Sequence, residues 1–415
     1  MKNSYQKSGA GQSQAGIAAS CPVRPSERSS RMHYAIRDIL KLAQEAQAAG
    51  KEILPLNIGD PLAYDFRTPS HIIEATYQAM LAGHNGYGPS AGVEEALEAI
   101  RREASNQGIQ NIQDVFITTG VTEGIDAALG ALLNTDENLL IPSPGYPLYD
   151  TTLEKFGVEA IYYRLDESNG WQPDLSDIAR LINNKTRGIA VINPNNPTGA
   201  VWHRELLKGI LDLAARHGLL VISDEIYSKL LLDPVEHVPI ASLSPEQPVL
   251  TFNGLSKAYL VPGFRIGWGI LSGEARDVAD YGEAIAKMLR ARLSASHPAQ
   301  FAIRAALEGD QSHIAGVVEK LKRRRDLTVS LLNSIPSIHC FPPQAAFYAF
   351  PRLDIARSDK EFVADLIRQT GVLVVPGTGF GMPPGSKYFR LVFLPPEETL
   401  GKALRLIGEF AKGWR

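Results

Sequence analysis

Residues 188–224 read GIAVINPNNPTGAVWHRELLKGILDLAARHGLLVISD, and the class of the fold follows most directly from this part of the sequence. It contains two short apolar runs, at 188–192 and 219–223, which are separated by a polar loop and a helical stretch. Strands that are apolar along their whole length are typical of a parallel sheet that is covered on both faces. The stretch therefore predicts two parallel strands joined by a helix, which is the repeating unit of an α/β fold.

The same order of apolar run, polar loop and helical stretch recurs through the middle of the chain. The runs lie at residues 115–118, 138–141, 188–192, 219–223, 249–252 and 265–270. We therefore predict one large α/β domain over residues 75–305, with a mostly parallel sheet and helices on both faces. In an open sheet of this kind a ligand binds beyond the carboxyl ends of the strands. The loops that follow the strands are consequently where a functional site is expected.

The two ends of the chain have a different pattern. The 415 residues exceed the roughly 250–300 beyond which one hydrophobic core stops growing, so a second domain is expected. After a long helical region at 314–332, short apolar stretches such as YFRLVF at 388–393 predict a small antiparallel sheet with helices beside it. We assign residues 306–415 to this smaller domain and residues 31–74 to a segment that packs on it. Residues 1–30 are rich in Ser, Gly and Gln and predict a disordered tail.

The composition argues against several classes of protein. The chain has 42 Lys and Arg residues against 45 Asp and Glu, a net charge of −3 that offers no basic surface for nucleic acid. Its two cysteines, Cys21 and Cys340, are too few for a disulfide framework or a cysteine-based metal site. No apolar run approaches the roughly 20 residues that cross a bilayer. We expect a protein of the cytoplasm that binds no metal, nucleic acid or membrane, and organellar import through the first thirty residues stays open.

Several common catalytic motifs are absent. No G-x-G-x-x-G lies between a predicted strand and a helix, and no G-x-x-x-x-G-K-[ST] is present, so dinucleotide and P-loop nucleotide binding lack support. The H-E-x-x-H of zinc proteases is also absent.

A lysine, an arginine and a carboxylate lie in the loops after two predicted strands. Lys257 lies just past the strand at 249–252, with Arg265 eight residues further on, and Asp224 ends the preceding strand. A lysine near another cation has its ammonium form disfavoured, so it can act as a nucleophile and form a Schiff base, although most lysines at strand ends are merely solvated. The carboxylate either caps the next helix or pairs with a buried cation such as a pyridinium nitrogen.

Residues 119–122 read TGVT and lie between a predicted strand and a helix at 123–133. Free backbone N–H groups at the start of a helix make an anion site, unless the stretch is an ordinary helix cap. An anion site, a Schiff-base lysine, a carboxylate and an added arginine are together what pyridoxal 5′-phosphate requires of a protein. The sequence therefore predicts pyridoxal 5′-phosphate as the cofactor.

From about Met32 to the C-terminus the chain resembles the fold-type I pyridoxal-phosphate aminotransferases of class I/II. The motifs that carry the resemblance are NPNNPTG at 193–199, SDEIY at 223–227 and SKAYLVPGFRIGW at 256–268, and those nearest the bacterial alanine-type (glutamate–pyruvate) branch are HYAIRD at 33–38, LNIGDP at 56–61 and NGLSK at 253–257. The resemblance implies a mostly parallel seven-stranded sheet with helices on both faces, and a smaller α+β domain built from both termini. It also implies a homodimer with shared active sites.

The resemblance also implies a role for each residue that binds the cofactor. Lys257 holds the cofactor and moves a proton between cofactor and substrate, and Asp224 keeps the pyridine nitrogen protonated. Tyr146, unless it is simply a core aromatic, stacks on the ring. Asn196 and Tyr227 hydrogen-bond the phenolic oxygen. The residues expected at the phosphate are Gly120, Val121, Thr122, Ser256 and Arg265, together with Tyr87 of the neighbouring subunit.

A second group of residues is implied at the substrate. Arg390 is expected to bind the α-carboxylate through two parallel hydrogen bonds, although an arginine on a strand is more often a solvated edge charge. Gly59 lets the backbone approach the substrate, which Asn196 also contacts. Tyr34 and Arg37 either close over the site and limit the side-chain pocket or merely begin a surface helix. Arg37 and Arg292 are both candidates for binding the distal carboxylate of 2-oxoglutarate.

The predicted function is transfer of an amino group between an L-amino acid and a 2-oxo acid in two half-reactions, a ping-pong mechanism. Alanine or glutamate is the expected donor, and pyruvate or 2-oxoglutarate the expected acceptor. A C–S β-lyase on the same fold would use the same Lys257, and an aspartate or aromatic aminotransferase is a further alternative. Acyl transfer to an amino acid also stays open. An effector-sensing domain of a transcription regulator is disfavoured, because only about thirty residues precede the similarity.

Overall fold

The structure of the protein, a computed structural model, describes residues 23–32 and 39–414. Residues 1–22 of the predicted tail, as well as Tyr34 and Arg37, lie outside the described residues. A disordered tail is predicted for residues 1–30. A short helix, α1, nevertheless lies at the end of this segment, over Glu27–Arg31. The Ser26 side chain caps this helix by accepting a hydrogen bond from the Ser29 amide at 3.3 Å.

The elements are numbered along the chain. In the described residues the further helices are α2 (Leu40–Ala48), α3 (Ser70–Leu81), α4 (Glu94–Asn106), α5 (Gly120–Leu132), α6 (Pro147–Phe156), α7 (Leu175–Leu181), α8 (Arg204–His217), α9 (Ala275–Ala291), α10 (His297–Gln300), α11 (Ala302–Glu308), α12 (Ser312–Asn333), α13 (Asp359–Thr370) and α14 (Glu397–Gly413). The strands are β1 (Leu54–Pro55), β2 (Ile112–Thr119), β3 (Asn138–Ser143), β4 (Glu159–Asp166), β5 (Gln172–Pro173), β6 (Thr186–Ile192), β7 (Leu220–Asp224), β8 (Val249–Gly254), β9 (Ile266–Ser272), β10 (Ile338–His339), β11 (Tyr348–Ala349), β12 (Arg352–Leu353), β13 (Val372–Leu373), β14 (Val375–Pro376) and β15 (Phe389–Val392).

The central sheet has the strand order β2-β9-β8-β7-β6-β3-β4-β5. Strands β8, β7, β6, β3 and β4 are parallel, whereas β9 runs antiparallel to both β2 and β8. The prediction of a mostly parallel α/β sheet is confirmed, and each of the six apolar runs forms a strand. The sheet has eight strands instead of the seven expected, because the two-residue strand β5 pairs antiparallel with β4.

The strand order reverses direction between β3 and β6. The chain passes from β3 outward to β4 and then returns past β3 to β6, from which β7 and β8 continue on the other side. Such a switch point separates the loops that follow the two neighbouring strands and leaves a crevice at their carboxyl ends. The loop that follows β3 and the NPNNPTG loop after β6 therefore border the same crevice.

The C-terminal part of the chain forms small antiparallel sheets. Strand β15 lies between β11 and β14, and β10 pairs with β12. Strand β1 pairs in parallel with β13, so residues near both ends of the chain share this region. One hydrophobic cluster runs continuously from Leu54 through the central sheet to Leu404. The division into domains at residues 75–305 and 306–415 therefore stays a prediction. Among the residues described, no helix has the length and apolar character needed to cross a membrane.

Two adjacent arginines on α12 join distant parts of the chain. Arg324 is 1% exposed, and its Nη2 binds both carboxylate oxygens of Asp65 at 2.8 Å while its Nη1 donates to the Leu394 carbonyl. Arg325 binds both carboxylate oxygens of Asp233, at 2.8 and 2.9 Å. The Arg324 side chain is 1% exposed and that of Asp65 is 45% exposed, so removing the arginine mainly leaves the buried Leu394 carbonyl without its donor, which costs more than the hydrogen bond contributes when intact.

We expect Arg324→Met to lower the free energy of unfolding by about 2–3 kcal/mol, because the carbonyl of Leu394 and the carboxylate of Asp65 lose their donor. Equilibrium unfolding in urea measures the change. The matched control is Arg323→Met, whose side chain is 56% exposed and pairs with Glu319 at 2.8 Å. A surface pair of this kind contributes at most about 1 kcal/mol. Equal losses for the two variants would contradict the structural role of Arg324.

Candidate active site

A cavity of about 510 Å³ lies at the carboxyl ends of the central strands. It brings together most of the predicted site residues, which come from widely separated parts of the chain. Those that line it are Gly59, Val121, Thr122, Tyr146, Asn196, Asp224, Tyr227, Ser256, Lys257, Arg265 and Arg390. The switch point of the sheet is thus also the place where these side chains meet.

Lys257 is the amine at the centre of the cavity. Its Nζ donates a hydrogen bond to the Gly59 carbonyl at 2.9 Å and lies 5.5 Å from the centre of the Phe347 ring. Burial lowers the pKa of Lys257 to about 8; Arg390 and Arg265 also lower it, whereas Asp60 and Asp224 act in the opposite direction. A lysine with a lowered pKa has a larger share of the uncharged, nucleophilic form near neutral pH.

Asp224 is a buried carboxylate at the end of β7. Burial raises its pKa to about 6, and the Ile226 amide, which donates to Oδ1 at 3.2 Å, and the charge of Lys257 oppose that rise. The residues after Asp224 form a turn rather than a helix, so the structure does not support the helix-cap alternative. A buried carboxylate with a raised pKa is suited to pairing with a cation that enters the cavity.

The start of α5 and Arg265 form one end of the cavity. Gly120 opens the helix with φ +73°, and a Cβ there would clash with the Arg265 guanidinium. The Arg265 Nη1 donates to the Pro262 carbonyl at 3.0 Å. The Thr119 side chain makes no capping hydrogen bond. The first N–H groups of a helix have no intrahelical partner, so this end of the cavity suits a phosphate group.

Arg390 on β15 forms the opposite end of the cavity. It is 1% exposed, which excludes the alternative of a solvated edge charge. Its Nη1 donates to Oδ1 of Asn196 at 3.1 Å, its Nη2 donates to the Asn57 carbonyl at 2.6 Å, and its guanidinium lies 4.5 Å from the centre of the Tyr348 ring. A buried guanidinium fixed in this way is suited to binding a carboxylate through two hydrogen bonds.

Two polar residues of the cavity, Asp60 and Tyr348, were missed by sequence reasoning. Asp60 lines the cavity and acts on the pKa of Lys257, and Tyr348 places its hydroxyl 2.8 Å from that of Tyr227. The motif LNIGDP at 56–61, which contains Asp60, was a signal that could have found this residue. Tyr348 had no comparable signal, because it lies in an apolar stretch of the C-terminal part of the chain.

The remaining predicted residues lie elsewhere. Tyr87 is 83% exposed and does not line the cavity. Arg292 also lies outside it: Nε pairs with Glu123 at 3.1 Å, and the two terminal nitrogens donate to the carbonyls of Ser90 and Ile117 at 3.1 and 2.7 Å. Arg37 lies outside the described residues. The structure therefore supports neither Arg37 nor Arg292 as the group that binds the distal carboxylate of 2-oxoglutarate.

The arrangement of these residues fits pyridoxal 5′-phosphate. Lys257 is placed to hold the aldehyde, Asp224 the ring nitrogen, and the start of α5 with Arg265 the phosphate. Gly120 is a second sign of fit, because only a residue without a Cβ lets the Arg265 guanidinium approach the start of the helix.

Comparisons with known proteins identify the family. Residues 51–407 match the model of the class I and II aminotransferases. The glutamate-pyruvate aminotransferase AlaA of Escherichia coli is 38% identical over 402 residues, which are 95% of this chain and 99% of that protein. The alanine aminotransferase of Mycobacterium tuberculosis is 40% identical over 382 residues, 90% of this chain and 89% of that one. The solved structure of an alanine aminotransferase from Pyrococcus furiosus has a TM-score of 0.91 at 40% identity, covering 94% of this chain and 100% of its own.

The chain therefore belongs to the class I and II aminotransferases. It is a transaminase of the pyridoxal-phosphate fold type I, and its cofactor is pyridoxal 5′-phosphate. The predicted fold class, enzyme class and cofactor are confirmed.

We expect the amine of Lys257 in the cofactor-free protein to react with acetic anhydride half-maximally near pH 8, because its pKa is lowered to about 8 and only the uncharged amine reacts. Mass spectrometry of the labelled peptide, measured from pH 6 to pH 10, gives the midpoint. Asp60 opposes the lowering of this pKa, so Asp60→Asn is expected to move the midpoint to lower pH. A midpoint near the ordinary lysine value of about 10.4 would contradict the description of the site.

Proposed function

We propose that this transaminase exchanges the amino group between L-alanine or L-glutamate and the corresponding 2-oxo acids, pyruvate and 2-oxoglutarate, by a ping-pong mechanism. The observation that carries the proposal is the cavity in which Lys257, Asp224 and the buried Arg390 meet. The relatives named as alanine or glutamate-pyruvate aminotransferases support this choice of substrates.

Each of these residues has a separate task in the proposal. When bound, pyridoxal 5′-phosphate supplies an aldehyde that accepts the amino group and a ring that withdraws electrons from the substrate Cα. Arg390 binds the α-carboxylate and so orients the bond to be broken at Cα. Lys257, once its amine is free and uncharged, removes the proton from Cα. Asp224 keeps a negative charge opposite the ring nitrogen, which maintains the electron withdrawal.

We also propose that two copies of the chain form the active unit. Helix α3 exposes apolar side chains at positions 73, 77 and 81, one helical turn apart: Ile73, Tyr77 and Leu81 are 49%, 48% and 63% exposed. A contiguous apolar row on one helix face is typical of a surface that contacts another protein. The following loop carries Tyr87, whose exposed ring is free to reach a neighbouring subunit. A second copy would cover this face and place Tyr87 at the phosphate end of the partner's cavity.

A cytoplasmic location is proposed on the basis of the cysteines. The sequence has two cysteines, and Cys340 is a buried free thiol. Proteins of oxidising compartments more often carry disulfide frameworks.

The substrate proposal predicts the spectrum of the holoenzyme. Adding L-alanine without any 2-oxo acid should abolish the visible band of the bound cofactor, and adding 2-oxoglutarate should restore it. A band that responds only to aspartate or aromatic amino acids would overturn the proposed substrates. Release of pyruvate and a thiol from cysteine-like substrates without an acceptor would indicate the C–S lyase instead.

Two variants test the assignment of Asp224 in the same half-reaction. Asp224→Asn is expected to lower the rate of band loss about 100-fold or more, since it removes the charge opposite the ring nitrogen. Asp136→Asn, a change of the same type at an exposed turn outside the cavity, should leave the rate unchanged.

For the dimer, we expect the double variant Ile73→Asp/Tyr77→Asp to sediment as a monomer, because charges would replace apolar contacts in the interface. Phe341→Asp, at an exposed aromatic on another surface, is the control and should remain dimeric.

Mixed dimers test the shared site. Lys257→Ala and Tyr87→Ala subunits, each impaired alone, should recover activity when mixed, because one site of the hybrid then has both residues intact. Failure to recover activity would contradict the role of Tyr87.

A further inference from the structure

We infer that Tyr348 is a positioning residue: its hydroxyl orients the hydroxyl of Tyr227 and thereby connects the carboxylate-binding Arg390 with the phenolic side of the cofactor site. The inference rests on the proposed function, since it takes Arg390 to bind the substrate carboxylate, and on the role at the phenolic oxygen that the family resemblance implies for Tyr227. It adds a residue that neither the sequence motifs nor the predicted roles include.

The two tyrosines form a buried pair. Their hydroxyl oxygens lie 2.8 Å apart, and their rings meet edge to face at 85° with centres 5.7 Å apart. Either hydroxyl can be the donor, but each has a single proton. If Tyr227 donates its proton to an oxygen of the cofactor, Tyr348 must be the residue that donates to Tyr227. The direction of the hydrogen bond between the tyrosines therefore decides whether Tyr227 can donate a hydrogen bond to the cofactor.

Arg390 acts on Tyr348 through the face of its ring. Strands β11 and β15 pair Tyr348 with Val392, and Arg390, two residues away, lies on the same face of this ladder. The guanidinium is 4.5 Å from the ring centre. A cation over the face of a phenol withdraws electron density from it, which makes the hydroxyl a stronger donor. Arg390 also donates to Asn196. The two side chains expected at the phenolic oxygen are Asn196 and Tyr227, so the first contacts this arginine directly and the second contacts it through Tyr348.

The backbone at Gly59 fixes the place of the Tyr348 hydroxyl. A Cβ on Gly59 would clash with that hydroxyl and would lie 2.7 Å from Cε2 of Phe347. The carbonyl of the same glycine accepts the hydrogen bond from Lys257. The Tyr348 hydroxyl thus packs on the stretch of backbone that holds the amine, and it has little freedom to turn away from Tyr227.

The charged and titratable groups around the pair come from several elements. They are Asp224 on β7, Tyr146 before α6, Lys257 after β8, Arg390 on β15 and Asp60 after β1. A hydrogen bond donated to the phenolic oxygen of the cofactor would stabilise negative charge there, so Nζ of Lys257, when it holds the cofactor, would retain its proton less strongly. Loss of the Tyr348 hydroxyl weakens this donation and should strengthen the retention of that proton.

The test is a spectrophotometric pH titration of the holoenzyme, which requires bound cofactor but no turnover. We expect Tyr348→Phe to raise the pH midpoint of the visible cofactor band by roughly half a unit, the size expected for one neutral hydrogen bond. Tyr281→Phe is the matched control, because the Tyr281 hydroxyl also donates one hydrogen bond, to the Ala128 carbonyl at 3.0 Å, but lies outside the cavity. Its midpoint should equal that of the unchanged protein.

A double variant separates positioning through Tyr227 from a direct or merely structural effect. If Tyr348 acts through Tyr227, the midpoint of Tyr227→Phe/Tyr348→Phe should equal that of Tyr227→Phe alone. Additive shifts, or an unchanged midpoint in Tyr348→Phe with full cofactor content, would overturn the inference. The proposed function fails separately, since it depends on whether the band of the unchanged protein responds to alanine.

Discussion

The hydrogen bond between the Lys257 amine and the Gly59 carbonyl is the contact on which the site depends. It joins a loop of the central sheet to the N-terminal segment, and that segment is itself fixed to the C-terminal region. The Leu56 amide donates to the Leu373 carbonyl at 2.9 Å, and Arg390 donates to the Asn57 carbonyl at 2.6 Å. The backbone of residues 56–59 therefore holds the amine and Arg390 in a fixed relation, although they lie far apart in the sequence. The proposed function needs this relation, because the proton that Lys257 is proposed to remove belongs to the carbon that carries the carboxylate.

The charges of the cavity match the charges of what it binds. Three cationic side chains, Lys257, Arg265 and Arg390, share the cavity with the carboxyl groups of Asp60 and Asp224. The cofactor phosphate and the substrate carboxylate are proposed to bring negative charge to the two ends, where the arginines lie, and the amine lies between them. Each arginine is held in place by carbonyl groups of the protein, so little reorganisation is needed when an anion arrives. The pKa of Lys257 is lowered by the same arrangement of charges, because burial and the two arginines both disfavour the charged form of the amine.

The fold, and the part of the site at the carboxyl ends of the central strands, could be predicted from the sequence for physical reasons. Strands buried on both faces are continuous apolar runs, and residues at their carboxyl ends, such as Asp224 and Lys257, can be located from those runs alone. Strand β4 was not predicted from the sequence, because it lies near the edge of the sheet and exposed residues interrupt its apolar pattern. Arg390 was found only through the family resemblance, and Tyr348 was not found at all. Tyr348 meets Tyr227 across 121 residues of sequence, and no local pattern carries information about a contact of that kind.

The two arginines of α12 restrict how this helix can change in length. Arg324 and Arg325 follow one another, yet one binds Asp65 in the N-terminal segment and the other Asp233 after β7. Successive residues of an α-helix differ by about 100° in direction, so the two carboxylates are matched to one particular rotation of the helix about its axis. A single inserted or deleted residue upstream in α12 would turn both guanidinium groups away from their partners at once. Substitutions on the exposed face of α12 are compatible with this geometry, whereas changes of length within the helix are not.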